Sequence, residues 1–234
     1  MLFDLHNDYP TALTESECIE YASELSRSGV TAVAAIWTSE FGENALQTVM
    51  RITARLRNVD SLKYCPVAIE DMGFLSRCDC VDSFDFSSYA YCSLTWNYNN
   101  AFAGVALDDG RLTERGKDVV KAVCGSGCAI DVAHLNKKSF YDVISVASRV
   151  ICSHTGFNGH ARSLDADRIK ELIAARAVIG LCAVTAFTDA DTSERFESVI
   201  DAFVQKYGAD NLAIGSDFNG SDDLPRDMRD YFGL

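Results

Sequence analysis

Two hydrophobic spacings alternate along the chain. Leu2-Phe3-Asp4-Leu5-His6-Asn7-Asp8 alternates apolar and polar residues as a strand does, and a period of two puts His6 and Asp8 on one face at its end. Ser16 to Ser28 spaces Ile19, Ala22 and Leu25 as one face of a helix, with Gly29 to close it. Thr31 to Thr38 (TAVAAIWT) is a continuous apolar run of strand length. From Gly42 to Arg57, Leu46, Val49, Ile52 and Leu56 fall at helical spacing, and Lys63 to Glu70 (KYCPVAIE) reads as a third strand ending in a carboxylate.

The rhythm continues. Strand-like runs at Tyr89 to Trp96, Cys128 to His134, Arg149 to Thr155, Ala177 to Val184 and Asn211 to Phe218 are interleaved with helical patterns. Those helices run from Thr113 to Val123, Lys137 to Ala147, Asp165 to Arg176 and Thr192 to Tyr207, with Thr113 placed to cap the first and Gly208 ending the last. Eight apolar strands alternating with helices predict parallel pairing through right-handed crossovers, and that number closes into a (β/α)8 TIM barrel. An open doubly wound sheet is the alternative α/β fold. The link between the third and fourth strands and the tail after Gly220 fit neither spacing.

Composition narrows the function. A chain of 234 residues with no Gly/Ser/Pro-rich linker, charge block or repeat predicts one domain over residues 1–234. The formal net charge of -13, with scattered basic residues, repels a phosphate backbone and argues against nucleic-acid binding. Neither a signal-peptide pattern nor a membrane-length apolar run is visible, which predicts a cytoplasmic protein that does not engage a membrane. Of nine cysteines, Cys65, Cys92, Cys128, Cys152 and Cys182 lie in apolar strand-like runs and read as reduced core thiols. Cys78-x-Cys80 and Cys124-xxx-Cys128 lack the paired spacing of a structural zinc site.

The strand ends carry the candidate chemistry. His6 and Asp8 end the first strand, Glu70 the third, His134 the fifth, His154 the sixth and Asp217 the eighth, so three of the four histidines sit at such ends. In a barrel these ends share one rim, where active sites form. Imidazoles with carboxylates suit zinc, and a carboxylate between two ions can bridge them, as in two-metal hydrolases. His160, in the loop GFNGHARS, reads as an exposed loop residue. Asp4, in phase with His6, is either a partner of the ligands or an inner-barrel polar residue.

Seven stretches together resemble the membrane (renal-type) dipeptidase family, within the amidohydrolase-like barrels of metal-dependent hydrolase type. They are DLHND from Asp4, VAIED from Val67, LTWNYNNAFAG from Leu94, LTERGKDVVKAV from Leu112, IDVAHLNKKSFYDVI from Ile130, ICSHTGFNGHARSLDADRIKELIAARAVIGL from Ile151 and AIGSDFNG from Ala213, in family order. The resemblance implies a zinc-dependent dipeptidase in which His6 and Asp8 hold one ion, Glu70 bridges, and His134 and His154 hold the second. A bridging hydroxide would then attack the peptide bond. Asp217 matches the family's acid/base aspartate, and Arg162 the arginine that grips the dipeptide's free carboxylate, a task that suits a planar bidentate cation. Trp96 and Asn97 fall in the substrate-facing stretch where the fourth strand ends, and a homodimer is an expected assembly.

The departures bear on specificity. Trp96 stands where many members have a histidine, Val184 where they often carry a substrate-facing tyrosine, and Asn219 replaces the second aspartate of GxDFDG. The sequence also reads as having a shortened C-terminus relative to the family. These differences leave two other readings open: a metallohydrolase of another small amide, ester or lactone, or a metal-binding homologue with impaired catalysis.

Overall fold

The computed structural model describes residues 2–77 and 81–234, so Cys78-x-Cys80 lies outside the described residues. The predicted strands are β1 (Leu2–Asn7), β2 (Val30–Trp37), β3 (Val67–Glu70), β4 (Tyr91–Ser93), β5 (Ala129–Asp131), β6 (Val150–Thr155), β7 (Ile179–Leu181) and β8 (Leu212–Ile214). They pair in parallel, in sequence order, and β1 closes against β8. Closure rules out the open sheet. Around the barrel run α1 (Tyr9–Ala12), α2 (Glu15–Arg27), α3 (Ala45–Asn58), α4 (Glu114–Gly125), α5 (Lys137–Val146), α6 (Ala166–Ala174), α7 (Thr185–Thr188), α8 (Ser193–Tyr207) and α9 (Met228–Phe232). No helix among the described residues is long and apolar enough to cross a membrane.

Local chemistry starts the main helices where the sequence indicates. Thr14 and Glu17 form a reciprocal capping box at α2, and Thr113, Asn136, Asp165 and Thr192 each accept a backbone N–H at the start of α4, α5, α6 and α8. The stretch from Gly42 opens with a 3-10 turn before α3. Between β3 and β4 the irregular link forms short 3-10 turns, including Met72–Arg77 and Phe86–Ser88. The tail does close with a helix, α9. Two buried residues, Met228 and Phe232, suffice to dock so short an element, and the Phe232 ring lies 4.9 Å from that of Phe218.

Most strands are shorter than the apolar runs that predicted them. On β5 the ladder stops at Asp131, because its carboxylate takes the N–H groups of Ala133 and Ser153 and draws the backbone out of register before His134. Alternation sorts the strand residues. On β2, Val30, Ala32, Ala34 and Ile36 join the core beneath the helices, whereas Val33 points inward to a small cluster with Ala68, Tyr91 and Ala129. The same parity turns Trp37 and Glu70 inward, and they pair across β2 and β3. Cys18, Cys92, Cys128, Cys152 and Cys182 are buried, but Cys65 is only half-buried; all the described cysteines are free thiols.

Two features fix the inner geometry. Register shifts between Asp4 and Asn7 on β1, and between Cys152 and Thr155 on β6, re-aim the residues at those strand ends. Gly180 and Gly215 let β6 approach β7 and β8, since a Cβ on either would overlap the Ser153 carbonyl oxygen. Asp4 belongs to this framework rather than to the rim. Its carboxylate accepts from Ser216 N at 2.8 Å and Ser216 Oγ at 2.6 Å, tying β1 to the segment after β8.

Candidate active site

The strand ends bring His6, Asp8, Glu70, His134, His154 and Asp217 to one end of the barrel. Glu70 stands between two groups: Oε2 lies 3.7 Å from His6 Nε2, while Oε1 lies 2.7 Å from His134 Nε2 and 3.8 Å from His154 Nε2. His6 Nε2 is also 3.4 Å from Asp8 Oδ2 and 3.9 Å from Asp217 Oδ1. Donor atoms of His6, Glu70 and His154, and of His6, Asp8 and Asp217, fall within 4.8 Å of one another. His134 and Asp217 reach these positions with φ of 70° and 63°, a left-handed backbone that the surrounding contacts must hold.

Neighbouring groups decide which nitrogens face the centre. Tyr91 donates its hydroxyl proton to the Leu5 carbonyl oxygen at 2.8 Å, so its oxygen accepts from His6 Nδ1 at 2.7 Å and leaves His6 Nε2 toward the carboxylates. Ser153 Oγ donates to Asp131 Oδ2 at 2.5 Å and so accepts from His154 Nδ1 at 2.9 Å. His134 has no such support, and its buried Nδ1 lacks a hydrogen-bond partner among the described residues.

The donor set fits a metal. His6 Nε2 and both Asp8 carboxylate oxygens are buried without hydrogen-bond partners, an arrangement that is costly unless a cation satisfies them. The Nε2 atoms of His134 and His154 lie 2.9 Å apart beside Glu70 Oε1, so two imidazole nitrogens and a carboxylate oxygen converge on one point. Nitrogen and carboxylate oxygen donors suit zinc, with Glu70 able to serve both sides through its two oxygens.

Burial and charge set the protonation. Burial raises Asp8 to about 7, His6 opposing and Glu70 adding to the rise. Burial also raises Asp217 above the usual carboxylate range. Glu70 is buried too, but His6 and His134 outweigh that and hold it well below. Burial and Arg162 lower His134 to about 4, and burial with the two other imidazoles lowers His154. For His6 burial is outweighed by Tyr91, Asp8 and Glu70, which raise it.

Above the rim lies a cavity of about 170 Å³ that also contacts Trp37, Trp96, Asn97, Arg162, Val184 and Phe187. Arg162 Nη1 donates to Asn97 Oδ1 at 2.6 Å, Nη2 lies 2.7 Å from His134 Nε2, and the guanidinium sits 5.2 Å from the Phe187 ring centre. Trp96 packs on Trp37 with ring centres 4.6 Å apart. His160 is exposed on its loop. Sequence reasoning missed Trp37, Tyr91, Asp131, Ser153 and Phe187 as parts of the site. Strand parity with Glu70 is the signal that would have found Trp37, whereas nothing local marks Phe187.

Comparison with known proteins agrees with this architecture. Residues 80–233 match the model of the membrane dipeptidase family (peptidase family M19). An uncharacterized protein in the pqqA 5′ region of Klebsiella pneumoniae is 31% identical over 149 residues, which is 58% of this chain and 54% of that protein. Dipeptidase tcpJ of Claviceps purpurea is 26% identical over 142 residues, 56% of this chain and 33% of that protein. The chain therefore matches about half or less of the length of these relatives. Among solved structures, dipeptidase AC, a metallo peptidase of family M19, shares the fold with a TM-score of 0.82 at 18% identity, covering 99% of this chain and 88% of that one. A Rhodobacter sphaeroides metallo peptidase liganded with a phosphinate mimic of the dipeptide L-Ala-D-Ala has a TM-score of 0.80 at 17% identity, covering 100% and 90%. With the family model matching well over half of its residues, the chain belongs to the membrane dipeptidase family, peptidase family M19.

Proposed function

We propose that the protein is a zinc-dependent dipeptidase that hydrolyses the peptide bond of small dipeptides. The observation that carries this reading is the division of Glu70, with one oxygen toward His6 and the other toward His134 and His154. His6 and Asp8 would hold one ion, His134 and His154 a second, and Glu70 would be shared. Bound ions supply a Lewis acid for the carbonyl oxygen and lower the pKa of water toward neutrality.

The chain's own residues do the rest. Arg162, fixed by Asn97, binds the substrate's free carboxylate through paired N–H groups and so orients the scissile bond. Asp217, whose pKa burial raises, takes a proton from the attacking water on its carboxylate and returns it to the leaving amine. Trp37, Trp96, Val184 and Phe187 wall the cavity, limit the size of the substrate and exclude bulk water. The free thiols of the described cysteines suit a reducing compartment, so we assign its work to the cytoplasm, with a homodimer as the expected assembly.

The apolar wall also favours a second reading, hydrolysis of another small amide such as an N-acyl amino acid, which presents the same carboxylate beside an apolar group. One experiment tests both. Purified zinc-loaded protein is assayed on a panel of dipeptides and N-acyl amino acids. Turnover of dipeptides, lost on chelation, is the expected result. Hydrolysis of N-acyl amino acids alone would favour the second reading, and full activity without metal would refute both.

A further inference from the structure

The two ligand pairs are supported unequally. On one side His6 is braced through Nδ1 by Tyr91, which is itself anchored on the Leu5 carbonyl, and the pair includes the buried, unpartnered carboxylate of Asp8. On the other side His134 Nδ1 has no hydrogen-bond partner among the described residues and its backbone is left-handed, although His154 is braced through Ser153, and this pair includes no carboxylate of its own. The Arg162 guanidinium donates toward that second side, 2.7 Å from His134 Nε2 and 3.3 Å from His154 Nε2. One pair thus has a carboxylate and a braced imidazole; the other has two imidazoles, of which only His154 is braced, and a competing cation.

We propose that the metal positions differ in affinity, that the pair His6 and Asp8 fills first, and that Tyr91 and Arg162 are the positioning residues that set the difference. Tyr91 strengthens the first position by holding His6 with Nε2 forward, which removes the rotational freedom otherwise lost on binding. Arg162 weakens the second by repelling a cation and by donating to the lone pairs that the ion needs. A substrate carboxylate that engages Arg162 offsets its charge and competes for the N–H group that faces His134. By linkage, carboxylate binding and filling of the second position then favour each other.

Zinc titration of the metal-stripped, full-length protein against a chromophoric chelator tests this. The wild type should bind in two steps at least about tenfold apart. Tyr91→Phe should weaken the tight step about 10- to 100-fold and leave the weak step in place. Arg162→Met should strengthen the weak step about tenfold and leave the tight one. His134→Ala should remove the weak step, and His6→Ala the tight one. Equal affinities in the wild type, or a tight step unmoved by Tyr91→Phe, overturn the proposal.

Where Tyr91→Phe fails to fold, the wild type carries the test alone. Imidazole ¹⁵N spectra at one equivalent of zinc should show the coordination shift at His6 while His134 keeps its metal-free signal, and a shift at His134 first overturns the proposal. The inference rests on the metal part of the proposed function. Stepwise binding without dipeptide turnover refutes that function and leaves this intact, whereas turnover with a single zinc affinity refutes only this.

Discussion

Asn97 Oδ1 accepts a 2.6 Å hydrogen bond from Arg162 Nη1. The bond, with the Phe187 ring beneath the guanidinium, fixes a long side chain before a ligand arrives, which reduces the entropy lost on binding. Arg162→Lys should raise KM for dipeptides about 10- to 100-fold, the loss expected for a charged, two-pronged contact. Asn97→Ala should raise it only severalfold. Steady-state kinetics on a dipeptide and its C-terminal amide check this, because the amide should be a poor substrate for the wild type and insensitive to either change.

Glu70→Gln keeps the shape of the side chain and removes the charge between the two ligand pairs. Zinc content should fall from about two per chain to one or less, and turnover by at least about 100-fold. Elemental analysis beside the activity assay decides the point. A glutamine variant with full zinc content and full turnover would exclude the shared role.

Asp8 makes the metal-free protein pH-sensitive in a defined sense. Its folded-state pKa, raised by burial to about 7, lies above the ordinary carboxylate value of about 4, so between those values the folded state binds a proton that the unfolded state does not. Its contribution is therefore intact below pH 4 and is lost as the pH rises through 7. Asp8→Asn lacks this liability. In metal-free protein it should melt at the same temperature as wild type at pH 4 and at a higher temperature above pH 7. Zinc should reverse the ranking by stabilising the wild type alone. Thermal melts at pH 4 and 8, with and without zinc, measure it.

Trp96, packed on Trp37, narrows a cavity of about 170 Å³. Trp96→Ala should extend the substrate range toward larger side chains, with kcat/KM for a bulky dipeptide rising relative to a small one by about tenfold, the scale of a few methylene groups in a pocket. An unchanged ratio over a substrate panel would show that the indole does not set the size limit.

Gly215→Ala should destabilise the protein by about 1–3 kcal/mol, since the new methyl overlaps the Ser153 carbonyl oxygen and β6 must shift. Because Ser153 also braces His154, zinc affinity should fall with stability. Chemical denaturation and zinc titration of the same variant provide the two readouts.

The barrel was legible in the sequence because the strands after the first read as apolar runs and most of the main helices begin with a capping side chain. The rim residues were legible because charged and imidazole side chains at the ends of apolar runs stand out. The rest of the cavity was not. Trp37 and Tyr91 sit within apolar runs, where an aromatic reads as core, and only strand parity turns them inward. Phe187 enters from the short helix α7, inside a stretch with no helical spacing of its own. The irregular link and the tail escaped for another reason: 3-10 turns and a five-residue helix are too short to show a period.

The Asp4–Ser216 latch spans a sequence separation of 212 residues, and it joins the first strand to the segment that carries Asp217. Closing so long a loop precedes any reward from the contacts it creates, which makes this pairing a late event in the assembly of the chain. During synthesis, the imidazole and carboxylate that emerge first must wait for nearly all the remaining residues before their neighbourhood exists. A ribosome-bound chain lacking its last strand would therefore carry His6, Asp8, Glu70, His134 and His154 but not the latch that fixes the end of the first strand, so the rim takes its final shape only once the last one is added.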